Sequence, residues 1–257
     1  MSPRGNGLVT GAGSGIGRAV ALRAAADGYF VWCLGRRASE LHHTVDQIVR
    51  DGGQALAAAA DVTQRAALEQ TIAELIAQHG PVRALVNNAG AGKSAAFAKM
   101  SDDLWEEMVA VNLTSVYNVS RAIVPAMIEA GGGRIVNIAS VAGLKGYPYI
   151  SAYCAAKHGV VGLTRALAVE LAGKNITVNA VCPGYVDTGM TAQTVANMAQ
   201  KTGRSLAECR QQLEAFSPQR RLFTPDEVAA TVSYLLSPAA AGINGQAIVI
   251  CGGELAG

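Results

Sequence analysis

The stretch VTGAGSGIGRAV, Val9 to Val20, decides the fold. Its first residues close a short apolar run that reads as a strand. Gly11, Gly13, Gly15 and Gly17 then allow a tight turn and a close approach of backbone to a ligand. From Gly15 the pattern turns helical. A helix starting there aims its free N–H groups and the positive end of its dipole at a phosphate. The spacing is not G-x-G-x-x-G, because Ile16 stands at the last glycine position. Gly11, Ser14, Gly15, Ile16 and Gly17 are the expected contacts on the phosphate side. A glycine-rich turn without a ligand is the other reading of this segment alone.

Outward from this unit the same alternation continues. Strands are expected at Gly7 to Thr10, Tyr29 to Leu34, Gln54 to Ala60, Ala84 to Asn87, Arg134 to Ala139, Thr177 to Cys182 and Gln246 to Cys251. Helices are expected at Gly15 to Asp27, Ser39 to Asp51, Gln64 to His79, Asp102 to Ala130, Ser151 to Ala172 and Pro225 to Leu236. Strands alternating with helices imply a seven-stranded parallel sheet covered on both faces, a doubly wound, Rossmann-type α/β fold. The 257 residues form a single domain in this reading. Residues 185–224 carry few strand signals and a helical middle, which suits a lid above the carboxyl edge of the sheet.

Composition excludes several classes. The formal net charge of +2 gives no electrostatic case for nucleic acid or an anionic membrane. No apolar run reaches the length of a membrane span, and the first residues show no signal peptide. Five cysteines lie scattered without metal-like spacing, so no metal site is expected. They read as reduced, buried thiols of a cytoplasmic protein.

Several strand ends carry polar residues suited to a dinucleotide. Strand two ends in FVWCLGRR, Phe30 to Arg37. Many NAD sites hold the ribose 2′-hydroxyl with an acid here, whereas this chain has Gly35 followed by Arg36 and Arg37. No carboxylate repels a 2′-phosphate and two guanidiniums can reach it, which favours NADP(H) over NAD(H). Strand three ends at Asp61 and Val62. Asp61 can accept from the adenine amino group with Val62 beside the ring, or it can cap the next helix. Strand four ends in Asn87, Asn88, Ala89 and Gly90, a polar turn that can line the cofactor. In SAYCAAKHG, Ser151 to Gly159, Tyr153 and Lys157 stand four residues apart on one helix face.

Taken in order, these motifs resemble the short-chain dehydrogenase/reductase family. The resemblance covers essentially the whole chain. It rests on Thr10 to Gly17, on Asn87 to Gly90, on Asn112, on Ser140, on Tyr153 with Lys157, and on PGYVDTGM from Pro183. It implies a nicotinamide cofactor and a homotetramer, or else a dimer. It also implies a catalytic set of Ser140, Tyr153 and Lys157, with Asn112 distorting its helix and holding a water that relays protons to the lysine. Pro183 and Gly184 would bend under the nicotinamide, and Val186 and Thr188 would bond the carboxamide and the phosphates. The chemistry agrees. Free tyrosine has a pKa of about 10, and an adjacent Lys157 ammonium favours the phenolate. Tyr153 can then exchange a proton with a carbonyl or alcohol oxygen, and Ser140 can hold that oxygen.

For the substrate, Tyr147, Pro148, Tyr149 and Ile150 offer walls, with Gly92, Lys93 and Ser94 in the same cleft and Tyr185 opposite. The chain is most similar to the β-ketoacyl-thioester and polyketide ketoreductase branch. That implies reduction of a ketone, carried as a CoA or acyl-carrier thioester. Lys201, Arg204, Arg210, Arg220 and Arg221 could meet a phosphopantetheine or CoA phosphate, or form a solvated face. Asp187 has no evident role. The alternatives are a dehydrogenase of another secondary alcohol, a small hydroxy acid or cyclic alcohol, and a non-catalytic NADP-sensing regulator on the same fold.

Overall fold

The computed structural model describes residues 4–256. One parallel sheet organises it. Its strands are β1 (Asn6–Thr10), β2 (Phe30–Gly35), β3 (Gln54–Ala59), β4 (Val82–Asn87), β5 (Gly133–Ile138), β6 (Ile176–Pro183) and β7 (Ala247–Ile250). They lie in the order β3-β2-β1-β4-β5-β6-β7. The order reverses between β1 and β4, so the loops leaving these strands diverge and open a crevice at their carboxyl ends.

The helices between the first four strands are α1 (Gly15–Ala26), α2 (Ala38–Arg50) and α3 (Arg65–His79). Those between β4 and β6 are α4 (Asp102–Val109), α5 (Ser115–Glu129) and α6 (Ser151–Leu171). Between β6 and β7 come α7 (Gly189–Thr202), α8 (Leu206–Glu214) and α9 (Pro225–Leu236). Successive strand residues feed opposite layers, as the period of two requires. Val9, Val31 and Cys33 pack with α1, α2 and α9. Leu8, Trp32 and Leu34 pack with α3, α5 and α6. Both faces are covered, which explains why these strands read as continuous apolar runs.

Element ends fall within a residue or two of the expected ones, with one exception. The single helix expected from Asp102 to Ala130 is interrupted by a π turn at Ala110–Thr114. Pro125 sits inside α5 without stopping it. The break occurs instead at Asn112, whose side chain bonds the Met108 carbonyl one turn back and the Ala91 backbone outside the helix. The 185–224 excursion contains α7 and α8 over a small core of its own, in which Val195, Cys209, Leu213 and Leu222 pack together.

Candidate active site

At the crevice, glycines let β1 and β4 meet. Gly11 and Gly15 have positive φ values of 66° and 52°. A Cβ on Gly17 would lie 2.2 Å from the Gly11 carbonyl oxygen, so only glycine permits this contact. Asn88 donates from its amide to the Thr10 carbonyl at 2.9 Å. The Thr10 hydroxyl accepts from the N–H groups of Asn88 and Ala89, each at 2.9 Å. Thr10 thus ties the two loops together through its hydroxyl. Asn87 turns the other way, into a buried network with Ser120 and Asn137.

The N-terminus of α1 is left open. Its cap residue, Ser14, makes no side-chain capping bond, and its first turn holds no acid. An anion is the natural complement to such an end. Beside it Arg36 and Arg37 are exposed, and Arg37 reaches the Ser14 hydroxyl at 3.4 Å. The nearby Glu40 carboxylate is paired with Arg18 at 3.0 Å, so its charge is offset. These residues fit a dinucleotide phosphate. Asp61 uses one oxygen on the Thr63 N–H at 2.9 Å and the Thr63 hydroxyl at 2.8 Å. Burial alone would raise its pKa, but those bonds and the Arg36 charge hold it below the usual value. Val62 is buried, and its carbonyl accepts from Asn118 at 3.2 Å.

The reacting end is a cavity of about 260 Å³. Ser140, Tyr153, Lys157 and Asn112 all line it, as do Ile16, Asn88 and Gly90 from the cofactor loops. Pro183, Gly184, Val186 and Thr188 close the other side. Lys157 is only 4% exposed and donates to the Ile138 carbonyl at 2.7 Å. Its Nζ stands 5.7 Å from the centre of the Tyr153 ring. Burial pushes Tyr153 up to about 12, against the pull of the Ser140 hydroxyl beside it. Burial also brings Lys157 down to about 8. The expected lowering of Tyr153 by the lysine is not seen here: burial dominates, and the Ser140 hydroxyl is what opposes it.

Asn112 is fully buried, which excludes an exposed helical residue. Its amide donates to the Ala91 carbonyl at 2.9 Å and the Met108 carbonyl at 3.0 Å. Its oxygen accepts from the Ala91 N–H at 3.2 Å. The side chain replaces helical bonds and pins the loop after β4, which accounts for the π turn.

On the substrate side, Gly92, Lys93, Ser94, Tyr147, Ile150 and Tyr185 line the cavity as expected. Tyr149 and Pro148 do not. Tyr149 adopts a φ of 68° and is 66% exposed, because its carbonyl is held by the Ala95 N–H at 2.9 Å while the side chain turns outward. The helical middle expected in the excursion includes α7, which brings Lys201 to the cavity together with Met190, Thr194, Asn197 and Met198, four residues not singled out from the sequence. Their spacing is that of one helical face and is visible in the sequence. Among the five cations of the excursion, Lys201 lines the cavity. Arg210 pairs with Asp187 at 2.8 Å and with Glu214 at 3.0 Å, and Arg221 pairs with Glu227 at 2.7 Å. Arg204 bonds Gln212 at 3.1 Å, and Arg220 is exposed at a φ of 50°. Arg210 and Arg221 thus sit in exposed ion pairs on a solvated face, and Asp187 has Arg210 as its partner. All five cysteines are buried and free. Among the described residues no group of His, Cys, Asp and Glu could hold a metal, and no helix is long and apolar enough to cross a membrane.

A dinucleotide cradle opening into a Ser–Tyr–Lys floor defines an oxidoreductase of the Rossmann type. Residues 6–199 match the family model of the short chain dehydrogenases, and the chain belongs to that family. It is 42% identical over 248 residues to a Streptomyces coelicolor protein with the provisional name ketoacyl reductase, covering 96% of this chain and 95% of that one. It is 37% identical to a 3β-hydroxysteroid dehydrogenase of Mediterraneibacter gnavus, covering 96% and 93%. A crystal structure of a point variant of actinorhodin polyketide ketoreductase with NADPH superposes with a TM-score of 0.94 at 40% identity, covering 98% and 97%.

Proposed function

We propose that the protein is an NADPH-dependent ketoreductase of 3-oxoacyl thioesters or polyketide ketones, with residues 185–224 as its lid. The observation that carries this reading is the cavity itself: Ser140, Tyr153 and Lys157 on its floor, and Tyr147, Ile150 and Tyr185 as neutral walls. Bound NADPH would supply the hydride. Tyr153, kept protonated by burial, gives its proton to the carbonyl oxygen, while the Ser140 hydroxyl donates to the same oxygen and fixes it. Lys157 places a positive charge behind Tyr153 and compensates the phenolate as it forms. Asn112 keeps the loop after β4 in place.

Arg36 and Arg37 hold the 2′-phosphate in this reading, with Ser14 and the α1 N-terminus on the pyrophosphate. Pro183, Gly184, Val186 and Thr188 seat the nicotinamide half. Lys201 at the cavity rim meets the phosphate of a CoA or carrier arm. Exposed Trp105, Tyr117 and Val169 on α4, α5 and α6 give apolar surface for a homotetramer. Five unpaired thiols suit the cytoplasm. The aromatic wall also suits a fused-ring alcohol, the second reading, which the hydroxysteroid dehydrogenase relative supports.

The test is steady-state NADPH and NADH oxidation with 3-oxoacyl N-acetylcysteamine thioesters beside cyclic ketones and oxo acids. Highest kcat/KM on the thioesters with NADPH is expected. Preference for a cyclic ketone selects the second reading, and no turnover with any ketone sinks both.

A further inference from the structure

The chain after β7 reaches back to the cavity. Gly252 and Gly253 turn it with φ values of 58° and 96°. A Cβ on Gly252 would lie 2.4 Å from the Ser217 hydroxyl, and one on Gly253 would lie 3.4 Å from Pro218. The turn is therefore pressed on the segment that joins α8 to the rest of the excursion. Next comes Glu254, whose side chain is only 4% exposed. A buried carboxylate is costly unless it is paired and bonded. This one has two partners, both in the loop between Ser140 and Tyr153. It pairs with Lys145 at 3.2 Å, and it accepts from the Tyr147 hydroxyl. Tyr147 lines the cavity. Its ring also meets Phe216 edge-on at 6.0 Å, and Phe216 lies 5.6 Å from Tyr185 on the opposite wall.

We infer that Glu254 is a positioning residue of the substrate site. It draws the polar end of Tyr147 away from the cavity, so that the ring presents an apolar wall, and it locks the loop before Tyr153 to the base of the lid. Without it, Tyr147 can turn its hydroxyl into the cavity and the wall loosens. This rests on the proposed ketone site, and it concerns a residue that does not itself touch the reacting atoms.

The test compares the parent with Glu254→Ala, Glu254→Gln, Tyr147→Phe and the Glu254→Ala/Tyr147→Phe double variant. The readouts are KM and kcat on a 3-oxoacyl N-acetylcysteamine thioester, KM for NADPH, and hydrogen exchange of segments 145–150 and 215–219. Glu254→Ala should raise the thioester KM about tenfold, the scale of a lost hydrogen bond to a charged group. KM for NADPH should not move, and exchange should rise in both segments. Glu254→Gln keeps an acceptor for the hydroxyl and should recover most of the KM. In the Tyr147→Phe background, Glu254→Ala should add little. Additive effects, an equal loss of NADPH binding, or faster exchange with an unchanged KM would each overturn the positioning role. A parent that reduces no ketone defeats the functional reading alone. Exchange then decides the lock, and unchanged exchange in Glu254→Ala overturns it.

Discussion

The helices α1 and α9 start in opposite ways. α9 is closed by a complete capping box, with Thr224 and Glu227 satisfying each other's backbone, and Pro225 at its first position. α1 has a capping residue of the right type, Ser14, that does no capping, and no acid in its first turn. Both helices flank the same layer of the core. One end is finished by its own side chains, and the other is left open toward the crevice. The same contrast separates the two halves of the crevice. The cofactor half is built from backbone in close approach, where side chains would intrude. The substrate half is built from side chains that reach in from separate segments.

The sharpest break in the comparison is expected at the floor both halves share. Tyr153→Phe should retain NADPH binding and lose turnover by about two to four orders of magnitude, the scale of a missing general acid. Near-normal turnover would remove Tyr153 from the chemistry. Glycine substitutions test the backbone half. Gly17→Ala drives a methyl into the Gly11 carbonyl, so kcat/KM with NADPH should fall about a hundredfold, with a stability loss of about 1–3 kcal/mol. Gly189, at the start of α7, has nothing within 4 Å of its would-be Cβ, and Gly189→Ala should be close to neutral. Similar losses in both would show that close packing is not what distinguishes the halves.

The buried lysine gives a pH signature. Lys157 titrates at about 8, below its ordinary 10.5, so its charge is present below that pH and lost above it. The kcat/KM for ketone reduction should therefore decline above pH 8, while Tyr153 stays protonated to about 12. A flat profile from pH 7 to 10 would mean that the ammonium is not needed. For the cofactor, Arg36→Ala should raise KM for NADPH about tenfold and leave NADH nearly unchanged, with added salt mimicking the change in the parent. Parent enzyme that uses NADH equally well would place both arginines in solvent. The smallest effect returns to the helix ends. Thr224→Ala should cost about 1 kcal/mol and lower Tm by a few degrees. Ser14→Ala should leave Tm alone and weaken NADPH binding. A matching Tm loss for Ser14→Ala would show that α1 is capped as α9 is.

Residues near one another in the chain carried most of the fold. The glycine turn, the strand periodicities and the i, i+4 spacing of Tyr153 and Lys157 are local patterns, and short-range sterics and burial turn them into structure directly. That is why the sheet, its layers and most of the floor could be read from the sequence. What tertiary structure decided lies in contacts between distant segments. Asn112 reads as a poor helix former in an otherwise helical run, but only the loop at Ala91 makes it break the helix. Tyr149 looks like its neighbours, yet the Ala95 N–H turns it outward. Arg210 looks free until Asp187 is folded beside it. Tyr147 and Glu254 stand 107 residues apart, and no periodicity links them. Their meeting follows from where β5 and β7 end in the sheet, on either side of β6. A buried carboxylate there must find its partners in whatever the fold brings within reach.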